Sequence, residues 1–191
     1  MIKLCAELCK QSYDDAATGY VEVEDLRYGI RQTDTHIIVV IRGTANAENW
    51  LRDADVIPKK SCRGFIAHAG FVNSFQKLCA AGLLGAIPTG KPIIATGHSL
   101  GGAVATLLAE RLNCRLITFG SPRVYFRFFS TPVLDHVRVI GEDDPVPGIP
   151  RIMYRHLTNP IVLTDDGLPI DISDHFMATY LAKLALREDI E

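Results

Sequence analysis

A mostly parallel α/β sheet, covered by helices on both faces, is the architecture this sequence predicts. Three observations carry that expectation. Strand-sized apolar runs alternate with helical stretches along the chain. The run Ile37-Ile38-Val39-Val40-Ile41 is apolar and β-branched at every position, as in a strand buried on both faces. A short strand over residues 92–96 then passes at once through Gly97-His98-Ser99-Leu100-Gly101-Gly102 into an Ala/Leu-rich helix.

Taken in order, residues 2–11 have the spacing of an amphipathic helix, with Ile2, Leu4, Cys5 and Leu8 on one side. Residues 20–24 and 27–32 read as a strand pair around a turn, and 37–41 as the buried strand, which ends in Arg42-Gly43-Thr44. Between 45 and 62 the pattern weakens to loop with at most one helical turn. Helical spacing of Phe71, Phe75, Leu78 and Cys79 predicts a helix over 71–86 that stops at Pro88 and Gly90. The helix after Gly102 runs to about residue 112, and 115–119 and 136–140 are further strands. Residues 152–157 and 161–164 suggest an edge hairpin around Asn159-Pro160. Ser173 has the character of an N-cap for a last helix ending near 187.

Composition narrows the class without naming a function. The 191 residues are 48% apolar and 22% charged, which excludes a disordered, collagen-like or coiled-coil chain and fits one domain over residues 1–191. A net charge of −2 offers nothing to nucleic acid, and no apolar run approaches the length of a membrane span. Five cysteines without CxxC spacing read as small apolar residues rather than ligands, so no metal site is expected. The N-terminal MIKLCAELCKQSY has polar residues where a secretory leader needs an apolar core. As written, the chain is expected in the cytoplasm, with secretion following if a leader precedes it.

The chemistry sits at Gly97-His98-Ser99-Leu100-Gly101, a GxSxG turn between strand and helix. Such a turn lifts the serine to an apex, and the following helix N-terminus faces a developing oxyanion. A serine hydroxyl needs a base, and the base needs an orienting acid. Among the later histidines, His136 opens a strand and His156 lies in a β-like run. His175, at a loop-to-helix junction, is the expected base. Asp143 and Asp144 follow a strand and precede Pro145-Val146-Pro147, so either suits the acid.

These blocks resemble the class 3 triacylglycerol lipase family, the fungal-type branch of the α/β-hydrolases. The resemblance runs through Ile41-Arg42-Gly43-Thr44, His68-Ala69-Gly70-Phe71, the Ser99 block, Thr118-Phe119-Gly120-Ser121-Pro122-Arg123-Val124, Asp144-Pro145-Val146-Pro147 and Asp174-His175. It implies an α/β-hydrolase fold with a minimal lid, Ser99 as nucleophile, His175 as base and Asp144 rather than Asp143 as acid. It also implies an oxyanion hole from Thr44 and the Leu100 backbone N–H, with His68 supporting the oxyanion loop. Trp50 occupies the family's lid position, as an acyl-site or lipid-surface contact or as a buried anchor. Where the family usually has Gly after Val124, this chain has Tyr125-Phe126-Arg127-Phe128-Phe129, aromatics that either line an acyl pocket or pack the loop.

The expected function is therefore hydrolysis of carboxylic esters, lipid or soluble, through an acyl-enzyme and without metal or organic cofactor. An inert domain of the same fold and an acyltransferase are the alternatives. Contact with a lipid surface is expected to be transient at most.

Overall fold

The computed structural model describes residues 1–43, 57–164, 175–187 and 189–190. Thr44, Trp50 and Ser173 lie outside the described residues. In chain order the elements are α1 (Ile2–Gln11), β1 (Tyr20–Val23), β2 (Leu26–Gln32), β3 (Ile37–Arg42), β4 (Pro58–Lys60) and β5 (Ile66–His68). There follow α2 (Ala69–Ala80), α3 (Leu83–Ala86), β6 (Ile93–His98), α4 (Leu100–Leu112), β7 (Arg115–Phe119) and β8 (Tyr125–Phe126). The rest are β9 (His136–Gly141), β10 (Tyr154–Arg155), β11 (Pro160–Leu163) and α5 (Met177–Ala185).

The main sheet has seven strands in the order β1-β2-β3-β6-β7-β9-β11. β3, β6, β7, β9 and β11 run parallel, and β1 and β2 extend the β3 edge in antiparallel fashion. Strand β3 shows why both faces must be covered. Ile37, Val39 and Ile41 point into one core with α2 and α4, whereas Ile38 and Val40 point into the other with α1 and α5. All five are fully buried. Each contributes about 1.5–3 kcal/mol of transfer free energy, which offsets the entropy of ordering the chain.

The register of β3 and β6 sets the position of the serine. Ile41 lies opposite Gly97 and Arg42 opposite His98, so the chain leaves β6 beside the end of β3. Helix α4 then starts almost on top of β3: a Cβ at Gly101 would strike the Ile41 carbonyl and come within 2.8 Å of the Gly43 nitrogen. Small residues through the first turns, Gly101, Gly102, Ala103 and Ala105, allow that approach, and all are buried. Further along α4, the wholly buried Glu110 accepts from the Ser61 hydroxyl (2.7 Å), the Arg63 N–H (3.2 Å) and the Tyr125 hydroxyl (2.6 Å). A buried carboxylate is tolerated when it is bonded in this way, and here it ties the 61–65 turn and β8 to the helix behind Ser99.

Several local expectations are corrected. The predicted 71–86 helix breaks at Gly82, which has φ 92°, giving α2 and α3. The 152–157/161–164 hairpin does not form. β10 instead pairs antiparallel with β8 in a second sheet of order β10-β8-β5-β4, and β11 pairs parallel with β9. The open edge of β9 offers β11 a longer ladder than a local turn would. The last helix begins at Met177 with Phe176 as its N-cap residue.

Candidate active site

Ser99 stands between β6 and α4 with φ 56° and ψ −131°. A non-glycine residue in this region is strained by about 1–3 kcal/mol and persists only where its surroundings hold it. Its amide donates to the Phe119 carbonyl at the end of β7 (3.0 Å), and its own carbonyl accepts from the Gly102 N–H (2.9 Å). The first bond fixes the apex from the neighbouring strand, and the second closes the first turn of the helix beneath it.

The structure brings the three residues expected from the sequence into one line. Ser99 Oγ is 2.8 Å from His175 Nε2, and His175 Nδ1 is 2.8 Å from Asp144 Oδ2. All three are buried, and the Asp144 side chain is completely so. The carboxylate can only accept, so Nδ1 carries the proton toward Asp144 and Nε2 is free to accept from the serine hydroxyl. Of the two candidate acids, Asp144 reaches the imidazole, whereas the neighbouring Asp143 is only half-buried.

Asp144 is itself held from two sides. The Val146 N–H donates to Oδ1 (2.8 Å), and the Tyr180 hydroxyl on α5 donates to Oδ2 (2.6 Å) while accepting from the Gly141 N–H (2.9 Å). Burial and the adjacent carboxylate push the Tyr180 hydroxyl well above its ordinary value, so it remains a donor. Replacing Tyr180 with Phe is expected to lower kcat about tenfold with little change in KM, because the lost bond is charge-assisted and lies away from bound substrate. An equal rise in KM would contradict this positioning role.

His98 forms a second prop. Its Nε2–H donates to the His175 carbonyl (2.6 Å), so its Nδ1 must accept from the Tyr13 hydroxyl (2.9 Å). The two imidazoles lie with centroids 4.6 Å apart. Burial, then the nearby His175, holds His98 well below the usual 6.5 and keeps it neutral. Tyr180, Tyr13 and His98 were missed in the sequence reading. A tyrosine at a helix-core position is a usable signal, since a buried hydroxyl must find a partner.

Leu100 is the first residue of α4 and is buried. An N–H in the first turn of a helix has no acceptor within the helix and is available to an anion. Gly43 abuts it: a Cβ there would lie 2.7 Å from Leu100 Cβ. His68 is found at the N-terminus of α2, where its Nδ1 accepts from the Gly70 N–H (3.1 Å). Of the aromatic run, Tyr125 and Phe126 are buried in β8, whereas Phe128 and Phe129 are exposed.

The remaining downstream histidines lie apart from the serine. His136 bonds the Thr118 hydroxyl (2.9 Å), and His156 Nε2–H donates to the Pro147 carbonyl (2.7 Å). Burial, aided by Arg138, pulls His136 down to about 3 and His156 to about 4. With His98, these groups reject protons that an unfolded chain takes up near 6.5. Their contribution is complete above that pH and is lost as the pH falls toward 4. Tm is therefore expected to drop steadily from pH 6.5 to 4, with a shallower slope in His156→Asn. A flat profile would contradict it.

A strained serine at a strand-to-helix apex, with a histidine and a buried carboxylate from later loops, defines an α/β-hydrolase. The family model for lipase (class 3) matches residues 38–154, and the chain belongs to that family. Among relatives, it is 38% identical to a secreted mono- and diacylglycerol lipase of Fusarium solani over 154 residues, covering 71% of this chain and 45% of the relative. It is 28% identical to a secreted mono- and diacylglycerol lipase of Penicillium cyclopium, covering 91% of this chain and 63% of the relative. The chain thus spans less than two thirds of these relatives. A lipase from Rhizopus microsporus var. chinensis shares the fold with a TM-score of 0.70 at 22% identity, over 89% of this chain and 75% of that one. Rhizomucor miehei triacylglyceride lipase does so with a TM-score of 0.67 at 24% identity, over 86% and 80%.

Proposed function

We propose that this chain is a serine hydrolase of carboxylic esters, with residues 1–191 acting as one hydrolase unit. The continuous hydrogen-bonded line from Ser99 through His175 to Asp144 carries the reading. Ser99 Oγ attacks the ester carbonyl carbon as its proton passes to His175 Nε2, and Asp144 stabilises the imidazolium that forms. The tetrahedral intermediate expels the alcohol, which takes that proton. Water, deprotonated by the same imidazole, then releases the acid and restores Ser99.

The Leu100 N–H and Thr44 hold the oxyanion in this reading. Support comes from Leu100 at the start of α4 and from Gly43, the residue before Thr44, packed against that turn. The segment around Trp50 acts as a small flap, in keeping with the short, charge-rich stretch between Thr44 and His68. Acylglycerols are the proposed natural substrates, in line with the names of the Fusarium and Penicillium relatives. Both of those are named as secreted, and no helix among the described residues is long and apolar enough to cross a membrane.

Hydrolysis of p-nitrophenyl esters of rising chain length tests the reading. Turnover is expected with the unaltered protein and to fall by a factor on the order of a million in Ser99→Ala. Equal turnover by the variant would remove Ser99 from the mechanism. Absence of hydrolysis with every ester would favour an inert domain. Transfer to an added alcohol in preference to water would favour an acyltransferase.

A further inference from the structure

The second sheet carries a surface that the ester chemistry does not use. Beyond the paired residues of β8 and β10, the chain segments stay side by side, with the Arg127 N–H donating to the Met153 carbonyl (2.8 Å). At this end Phe128 is 68% exposed, Phe129 54% and Ile152 73%, with Met153 beside them. The exposed rings are not loose. Phe126 anchors them from beneath, with centroids 5.8 Å from Phe128 and 5.7 Å from Phe129. Large apolar side chains held together in water are the mark of a surface that meets something.

The charge around them says what. Segments 121–134 and 145–163 contain four arginines and no carboxylate, in a chain whose net charge is −2. Arg127, Arg151 and Arg155 are exposed, and none of the three is ion-paired with a carboxylate among the described residues. Arg127 lies over the Phe128 ring, 5.4 Å from its centroid. Aromatic and aliphatic side chains rimmed by arginines that have no carboxylate partner among the described residues suit a membrane interface whose headgroups are anionic.

The patch is also connected to the loops of the site. Residues 120–124 lead from the C-terminal end of β7, which bonds Ser99, into β8. Arg123 binds the chain that follows the acid, its N–H donating to the Ile149 carbonyl (2.7 Å) and its guanidinium to the Arg151 carbonyl (3.0 Å). The surface is thus tied to the loop that carries Asp144.

The geometry points to a docking face for anionic lipid surfaces formed by Phe128, Phe129 and Ile152 with Arg127, Arg151 and Arg155. This rests on the reading of Ser99 as an ester hydrolase, and it adds a consequence. Each ester cleaved in such a surface leaves a carboxylate there, so the surface becomes more anionic as it is worked on and holds the protein more tightly.

The test uses the full chain carrying Ser99→Ala, so that no lipid is consumed, and measures co-sedimentation with vesicles. Binding to phosphatidylcholine vesicles with about 30 mol % phosphatidylglycerol is expected to exceed binding to pure phosphatidylcholine by about a hundredfold, since each of the three arginines near such a surface is worth roughly fivefold. It should weaken steeply between about 0.05 and 0.5 M salt. Arg127→Gln with Arg155→Gln should remove about twenty- to thirtyfold of the anionic binding, and Phe128→Ser with Phe129→Ser should weaken binding to both vesicles. The same substitutions on active Ser99 should leave turnover of a water-soluble ester unchanged, which separates this inference from the catalytic one. Equal binding to both vesicles would overturn it, as would full binding by the substituted chains. Concentration-dependent self-association lost in Phe128→Ser with Phe129→Ser would make the face a contact between copies and overturn it too.

Discussion

Asp144→Asn is expected to lower kcat on a soluble ester about ten-thousandfold, with the fold intact. The physical reason lies in the two acceptor oxygens. Oδ1 takes the Val146 N–H, while Oδ2 takes both the Tyr180 hydroxyl and His175 Nδ1–H. In asparagine, the oxygen keeps the Val146 bond only by turning the amide NH2 toward His175. Nδ1 must then accept, the proton moves to Nε2, and the imidazole faces Ser99 with nothing to take its proton. Asp143→Asn is the internal control, because that side chain is half-buried and outside the line; its rate should stay within about twofold. A similar loss in both variants would contradict the choice of acid.

Gly101→Ala is expected to destabilise the protein by about 3 kcal/mol, the upper range for an overpacked core. The new methyl would meet the Ile41 carbonyl, which belongs to a buried strand and has no room to retreat. For a chain of this size that amounts to a Tm lower by roughly 6–12 °C. Gly85→Ala provides the contrast, since nothing lies within 4 Å of a Cβ there. It should be neutral or stabilising by a few tenths of a kcal/mol. Equal, small effects from the two substitutions would mean that α4 is not pressed against β3 as described.

What could be read in advance follows from how local each signal is. β3 was legible because five consecutive β-branched residues have no other economical home, and the Ser99 turn because glycines flank it on both sides. The candidate base, His175, emerged from its place at a loop-to-helix junction, whereas Asp144 was separable from Asp143 only through the family resemblance. The props were not legible. Tyr13, in the turn after α1, and Tyr180, on α5, lie at opposite ends of the chain and look like ordinary core aromatics, and their hydroxyl partners exist only once α1 and α5 pack on the same face. β8 escaped for another reason: a strand of two residues carries no periodicity. β11 was placed wrongly because the Asn159-Pro160 turn signal was local, while its pairing with β9 is not.

Covalent labelling tests the central claim most directly. A fluorophosphonate added to the full chain is expected to give one adduct per molecule by intact mass, located on the peptide that contains Ser99. The adduct should be absent in Ser99→Ala and form far more slowly in His175→Ala. Stoichiometric labelling at another residue, or rapid labelling that survives the loss of His175, would contradict a serine activated by the His175–Asp144 pair.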